Sequence, residues 1–203
     1  MILLACAVEA EMRFWKPRAD IEALATGVGP VEAAAAVATA LASRRYDLVV
    51  SAGIAGVFGD AAQIGDGVVV ATDTMSVDLE SGEAIPLPNG ERTVEEAHSE
   101  PALVASLQAA GFQALRGVTV ARVTCTDATA AALAASGAQV ETMEGFAVLR
   151  AAARAGVPAV EIRGISNRCG DRARSGWDFA AGLSGLAKIA AVFFERCAAT
   201  TQS

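Results

Sequence analysis

The sequence predicts an α/β fold in which helices cover both faces of a central sheet. Three observations predict it. Short β-branched runs, such as residues 47–51 and 158–165, alternate with alanine-rich stretches of helical composition. The 203 residues can enclose one full hydrophobic core, and no repeat or linker divides them, so a single domain over 1–203 is expected. Hydrophobic residues make up 53% of the chain against 19% charged, which excludes a disordered polymer.

The elements follow in order. Residues 2–8 read as a buried first strand. The opening MILLACAVEAEM is too short to cross a membrane, lacks a basic leader, and runs at once into Glu9 and Glu11, so it reads as a strand and not a signal peptide. Gly29 and Pro30 start a helix at about Val31 that runs to Ser43, with the proline in its first turn. Residues 47–51 form a second strand that ends in a glycine-rich turn, 53–56, and residues 67–72 form a third. The stretch 73–100 is polar, with turn signals at Pro86, Pro88 and Asn89–Gly90, and is the longest candidate loop and a candidate lid. Residues 101–110 suit a short helix and 117–123 a strand. Asp127 caps a helix through Ala135. Residues 143–155 are helical, 158–165 form a strong strand, and Asp178 caps a final helix that ends near Cys197.

Bulk chemistry excludes several classes. A net charge of −7 with scattered Lys and Arg argues against binding a nucleic-acid backbone. No segment has the length and composition of a membrane span. The four cysteines form no C-x-x-C pair and His98 is the sole histidine, so a zinc site would need an unusual ligand set; no metal or cofactor is expected. Reduced cysteines suit the cytosol. His98 lies in a polar stretch and reads as a solvated loop residue.

In folds of this class ligands bind beyond the carboxyl ends of strands. Glu9 and Glu11, Gly53–Gly56, and Ser166–Asn167 fall at such ends. Glu9 and Glu11 are either a general base with its neighbour, facing a crevice, or two acids that favour a helix N-terminus. The segment from Ser51 to Gly56 is either a tight turn or a loop whose bare backbone approaches a ligand; it lacks the full G-x-G-x-x-G fingerprint. Glu144 is either a first-turn helix acid or an acceptor for two adjacent sugar hydroxyls, with Met143 beside it. Arg163 sits inside an apolar strand, where a lone charge is costly, so it needs a partner; Glu161 and Glu144 are the candidates. Asn167 is either a turn former or a base reader. Arg168, Arg172 and Arg174 are either surface solvation or an anion site.

Taken together these segments resemble the nucleoside phosphorylase/hydrolase superfamily over nearly the whole chain. AVEAEM is similar to the water-activating segment of the methylthioadenosine/adenosylhomocysteine nucleosidases. TGVGPVEAA, SAGIAG, IGDGVVV, ETMEG and EIRGISN follow in the family's order. ETMEG, the Asn of ISN and the stretch NRCGDRARSGWD resemble the futalosine hydrolase branch.

The resemblance implies a three-layer sandwich with a central mixed sheet flanked by helices, assembled as a homodimer or larger homo-oligomer in the cytoplasm. It implies that Glu11 activates the attacking water, flanked by Arg163 and the backbone near Ile54. Met143 and Glu144 would hold the ribose, and Asn167, supported by Ser166, would contact the purine. It implies a nucleoside and water as the partners, with no nucleic acid or membrane. The implied reaction is release of hypoxanthine from futalosine, in menaquinone biosynthesis.

Where the adenine-releasing nucleosidases carry Asp, this chain has Asn167, whose amide can donate to the O6 of hypoxanthine. One of Arg168, Arg172 and Arg174 would pair with the carboxylate of futalosine's carboxyphenyl group, and Trp177 or Phe146 would stack on its ring. Positions where a phosphorylase binds phosphate are Ser51 and Ile54 here, and neither is cationic. An adenine-releasing nucleosidase, a 6-oxopurine phosphorylase and a non-catalytic nucleoside-binding protein are the alternatives.

Overall fold

The computed structural model describes residues 1–171, 173 and 176–200, with side chains as far as residue 197. One mixed sheet of eight strands organises these residues. β1 (Ile2–Cys6) lies between β2 (Ile21–Ala25) and β3 (Leu48–Val57), all three parallel. Along its length β3 pairs in parallel with β8 (Ala159–Arg168), and at its C-terminal end it pairs antiparallel with β7 (Val140–Thr142). β8 runs antiparallel to β4 (Gly67–Thr74), which pairs in parallel with β6 (Gln113–Thr119), which returns to β7. Strands β3, β7, β6, β4 and β8 therefore close a ring, and β5 (Glu96–His98) flanks β4 as an edge strand.

Helices cover both faces, as expected of a three-layer sandwich. α1 (Pro30–Ser43) and α4 (Gly145–Ala155) pack on one side against Leu3, Ala5, Val49 and Ala159. α2 (Pro101–Ala109) and α5 (Phe179–Thr200) pack on the other against Leu4, Val50, Ala52, Val160 and Ile162. Alternate residues of β1 and β3 thus enter opposite cores, which is why these strands read as unbroken apolar runs. α3 (Asp127–Ala135) packs through Ala130 and Leu133 on a small cluster around Phe58 and Val118.

Several boundaries differ from the sequence reading, each for a physical reason. β2 and β7 were not anticipated: each has five residues or fewer, too few to show a period. The strand expected at 117–123 is shifted to Gln113–Thr119. Thr126, not Asp127, caps α3, its hydroxyl accepting from the Thr129 amide at 3.2 Å. Asp178 does cap α5, accepting from the Ala181 amide at 2.9 Å. The loop expected at 73–100 is bounded by real strands, since β4 runs to Thr74 and β5 pairs back on it. His98 belongs to β5, where its Nδ1 lies 3.1 Å from Thr72 Oγ1.

The main correction concerns the expected turn at 53–56. β3 runs straight through it to Val57. The glycines are there for space. A β-carbon on Gly53 would lie 2.5 Å from Arg163 Nη1 and 2.8 Å from Glu11 Oε1, and one on Gly56 would lie 2.6 Å from Cys169 Sγ and 3.0 Å from Asn167 Nδ2.

Candidate active site

A cavity of about 300 Å³ opens where the C-terminal ends of β1, β3 and β8 meet β7 and the start of α5. Its lining includes Glu11, Ile54, Met143, Glu144, Ser166, Asn167 and Trp177. Seven of the residues singled out in the sequence thus converge on one space, although they lie on five separate segments.

Glu11 is carried by a short 3-10 helix (Glu9–Phe14) that follows β1. That turn points Glu11 inward, 8% exposed, and leaves Glu9 outside. Three backbone amides orient the carboxylate: Ala7 and Val8 donate to Oε2 at 3.1 and 3.3 Å, and Ile54 donates to Oε1 at 3.0 Å. The Ile54 amide is therefore engaged by Glu11 itself.

Arg163 lies directly beneath, 2% exposed. Its Nε donates to Glu161 Oε1 at 2.8 Å and its Nη2 to Ser51 Oγ at 3.0 Å. Of the two partners expected, Glu161 makes the contact, while Glu144 acts at longer range. Burial works against the guanidinium charge, but the carboxylates of Glu161, Glu144 and Glu11 outweigh it and hold its pKa above the ordinary value.

This cation belongs to a polar zone inside the strand ring. Val140, Ile165, Ala55 and Val57 fill one end of the interior. The same alternating faces continue as Thr142, Arg163, Glu161 and Ser51. Asp73 completes the zone, its Oδ2 accepting from Thr142 Oγ1 at 2.9 Å and from Thr119 Oγ1 at 3.1 Å. Asp73 and Glu161 are fully buried and in contact. Burial, then the Asp73 charge, pushes the Glu161 carboxyl up to about 8, and burial raises Asp73 as well. Two adjacent buried carboxylates repel each other, and this favours the protonated form of Glu161.

Glu144 sits at the junction of β7 and α4, 8% exposed. Its Oε1 accepts from the Gly29 amide at 2.8 Å, so the GVGP segment before α1 positions it. Burial raises its pKa, against the opposing pull of Arg163 and of the Gly29 amide. Asn167, 6% exposed, lies at the other side of β3. Ser166 Oγ is 2.9 Å from Asn167 Oδ1, and Asn167 Nδ2 is 3.3 Å from the Arg168 carbonyl. Trp177 stands edge-on to Phe179 at the cavity mouth, with ring centroids 5.1 Å apart.

Other expected residues lie elsewhere. Phe146 packs with the core of α1 and α4 and does not line the cavity. Arg168 turns outward, bound to the Gly59 carbonyl, Asp60 and Gln63. Arg172 and Arg174 fall outside the described residues. Sequence reasoning missed Glu141, Thr142, Val28 and Phe179, which also line the cavity. Glu141 stood in the quoted ETMEG motif, but no period could assign its face, because β7 has three residues.

The profile of the Phosphorylase superfamily matches residues 14–199, and that superfamily is the class this fold and site define. The futalosine hydrolase of Streptomyces coelicolor is 41% identical over 174 residues, covering 80% of this chain and 74% of that protein. The futalosine hydrolase of Thermus thermophilus is 33% identical over 174 residues, covering 81% of this chain and 77% of that protein. The chain belongs to the phosphorylase superfamily and, within it, to the futalosine hydrolase family.

Solved structures agree on the fold. A 5'-methylthioadenosine/S-adenosylhomocysteine nucleosidase of Neisseria meningitidis, in complex with methylthio-immucillin-A, superposes with a TM-score of 0.80 at 18% identity, covering 96% of this chain and 98% of that one. The futalosine hydrolase of Helicobacter pylori gives 0.81 at 17% identity, covering 96% and 97%.

Proposed function

We propose that this chain hydrolyses the N-glycosidic bond of futalosine and releases hypoxanthine. One observation carries the reading: a single cavity presents an oriented carboxylate, Glu11, and a buried amide, Asn167, on either side of Ile54 and Gly56. The relatives named above support the substrate, and the placement of the two side chains supports the division of labour.

The bond breaks through an oxocarbenium-like ribosyl transition state. Glu144 accepts hydrogen bonds from the ribose hydroxyls, with Met143 beneath the sugar. Glu11 takes a proton from the attacking water. Arg163 is a positioning residue, held by Glu161 and Ser51, whose charge keeps Glu11 and Glu144 in a common field. Asn167 donates to O6 as negative charge builds on the departing base, and Ser166 orients the amide for this by its contact with Oδ1. Trp177 stacks on the aromatic ring at the substrate's 5′ side. Phosphate is a poor nucleophile for this site, since the Ile54 amide already serves Glu11 and Ser51 serves Arg163.

The test is to incubate the protein with futalosine, inosine and methylthioadenosine, with and without phosphate, and identify the released base. Hypoxanthine from futalosine in phosphate-free buffer is the expected result. Adenine from methylthioadenosine instead, or dependence on phosphate, would overturn the reading.

The protein is also read as cytoplasmic and as a homodimer or larger homo-oligomer. Its four free cysteines support the first. Val8, Val28, Trp177 and Phe179, apolar and exposed around the cavity mouth, support the second. Light scattering on the purified protein is expected to give at least twice the 20.6 kDa chain mass; a monomer would count against it.

A further inference from the structure

Asp73 has no task in the mechanism above, and Glu161 enters it only as an anchor for Arg163. Both side chains are fully buried, and among the described residues Asp73 Oδ1 and Glu161 Oε2 have no hydrogen-bond partner. A buried acceptor without a donor is costly, more so when it carries charge. The two carboxyls touch each other. One proton gives the contact a donor, since a protonated carboxyl donates to its neighbour while an ionised one only accepts.

The two carboxyls also reach both halves of the site. On one side Glu161 Oε1 accepts from Arg163 Nε at 2.8 Å, and Nη1 of the same guanidinium converges with Glu11 Oε1 on Gly53. On the other side the start of α4 rests on them. A β-carbon on Gly145 would run into Glu161 Oε1 and Asp73 Oδ2 together. The Phe146 amide donates to Thr119 Oγ1 at 2.9 Å, and that hydroxyl donates to Asp73 Oδ2 at 3.1 Å. Glu144 directly precedes Gly145, so its backbone is tied to the same carboxyls.

The charged groups facing them are Arg163 on β8, Glu144 at the head of α4 and, behind Arg163, Glu11. The side chains of Ser51, Ser99, Thr119 and Thr142 bring neutral hydroxyls, and His98 on β5 turns to Thr72. With one proton between the carboxyls, one negative charge answers the Arg163 cation and the positive end of α4. Without it, two like charges in contact repel where no water screens them, and Arg163 and Gly145 rest on both.

We infer that Asp73 and Glu161 act as one positioning pair for the hydrolysis: they share a single proton, and that proton holds Arg163 and the start of α4 in place for Glu11 and Glu144. The inference rests on the hydrolase reading and extends it. Neither residue touches the substrate; each acts through the side chain or helix end that rests on it.

The experiment measures kcat for futalosine from pH 6 to 9 in wild type, Glu161→Gln and Asp73→Asn. Saturating substrate is used, so that ionisation of free futalosine falls on KM. Burial and the Asp73 charge push the Glu161 carboxyl up to about 8, so wild-type kcat is expected to fall roughly tenfold from pH 7 to pH 9. Either amide keeps a donor between the two side chains and leaves one negative charge at every pH. The fall is therefore expected to disappear in the variants, whatever their level of activity at pH 7. A purely structural role would leave the profile unchanged. Infrared difference spectra of wild type check the same point without substitution: a protonated carboxyl band present at pH 7 is expected to vanish in step with kcat.

Loss of the fall in either variant supports the pair. If both variants keep the wild-type fall, if wild type shows none, or if the carboxyl band is missing at pH 7, the inference fails while the hydrolase reading stands. If wild type releases no base from futalosine at any pH, both fail.

Discussion

At the scale of single residues, Glu11 depends on its surroundings for its geometry. Its two oxygens accept from amides on two segments, Ala7 and Val8 after β1 and Ile54 within β3, so the carboxylate is held between strands that must be in register. Glu11→Gln preserves the shape and removes the carboxylate proposed as the base. It is expected to lower kcat by about 10²- to 10⁴-fold with little change in KM, as loss of a general base does; steady-state kinetics on futalosine would show it. Gly53→Ala tests the same position from the opposite side. The new methyl would meet both Arg163 Nη1 and Glu11 Oε1. A displacement of about 1 Å in a catalytic group can cost about 10²-fold in rate, so the variant is expected to fold and to lose at least that much kcat.

At the scale of elements, α5 lies close enough to β8 that backbone meets backbone. A β-carbon on Gly164 would fall 1.9 Å from the Gly182 carbonyl oxygen. Gly164→Ala forces strand and helix apart and is expected to cost about 3 kcal/mol, the upper part of the range for overpacking; chemical denaturation would measure it. Elements with a long apolar period or a cap were legible in the sequence: β1, α1, β3, β8, and α5 with its Asp178 cap. β2 and β7 were not, because strands of five and three residues have no period to read and are formed by partners distant in the chain. The glycines of β3 misled for the same reason. Gly53 and Gly56 suggest a turn when read locally, and only the approach of Arg163 and Asn167 from another strand gives them their actual role. Glu11, Glu144, Arg163 and Asn167 were visible as candidates since charge or amide at a strand end is unusual. Glu141, which also lines the cavity, was not, since β7 has three residues and no period to assign its face.

At the scale of the whole molecule, the strand ring buries two carboxyl groups, Asp73 and Glu161, side by side. Glu161, its carboxyl pushed up to about 8 by burial and the Asp73 charge, binds a proton more tightly in the folded protein than in the unfolded chain. Its contribution to stability is therefore complete below the ordinary carboxylate range and is lost as pH rises toward and through 8. Thermal unfolding of wild type is expected to show a falling midpoint between pH 6 and 9. In Glu161→Gln, which keeps an acceptor for Arg163 and a donor for Asp73, that part of the dependence should vanish. A wild-type midpoint that rises over this interval would show that the proton is not held there.

The continuity of β3 has one more consequence. Between Gly53, where Glu11 and Arg163 converge, and Gly56, where Cys169 and Asn167 converge, the strand advances three residues, about 10 Å at the rise of an extended chain. Over this stretch β3 stays paired with β8, so the sheet fixes a separation that a flexible turn would let drift. A single inserted residue between the two glycines would turn one of them to the opposite face of the sheet.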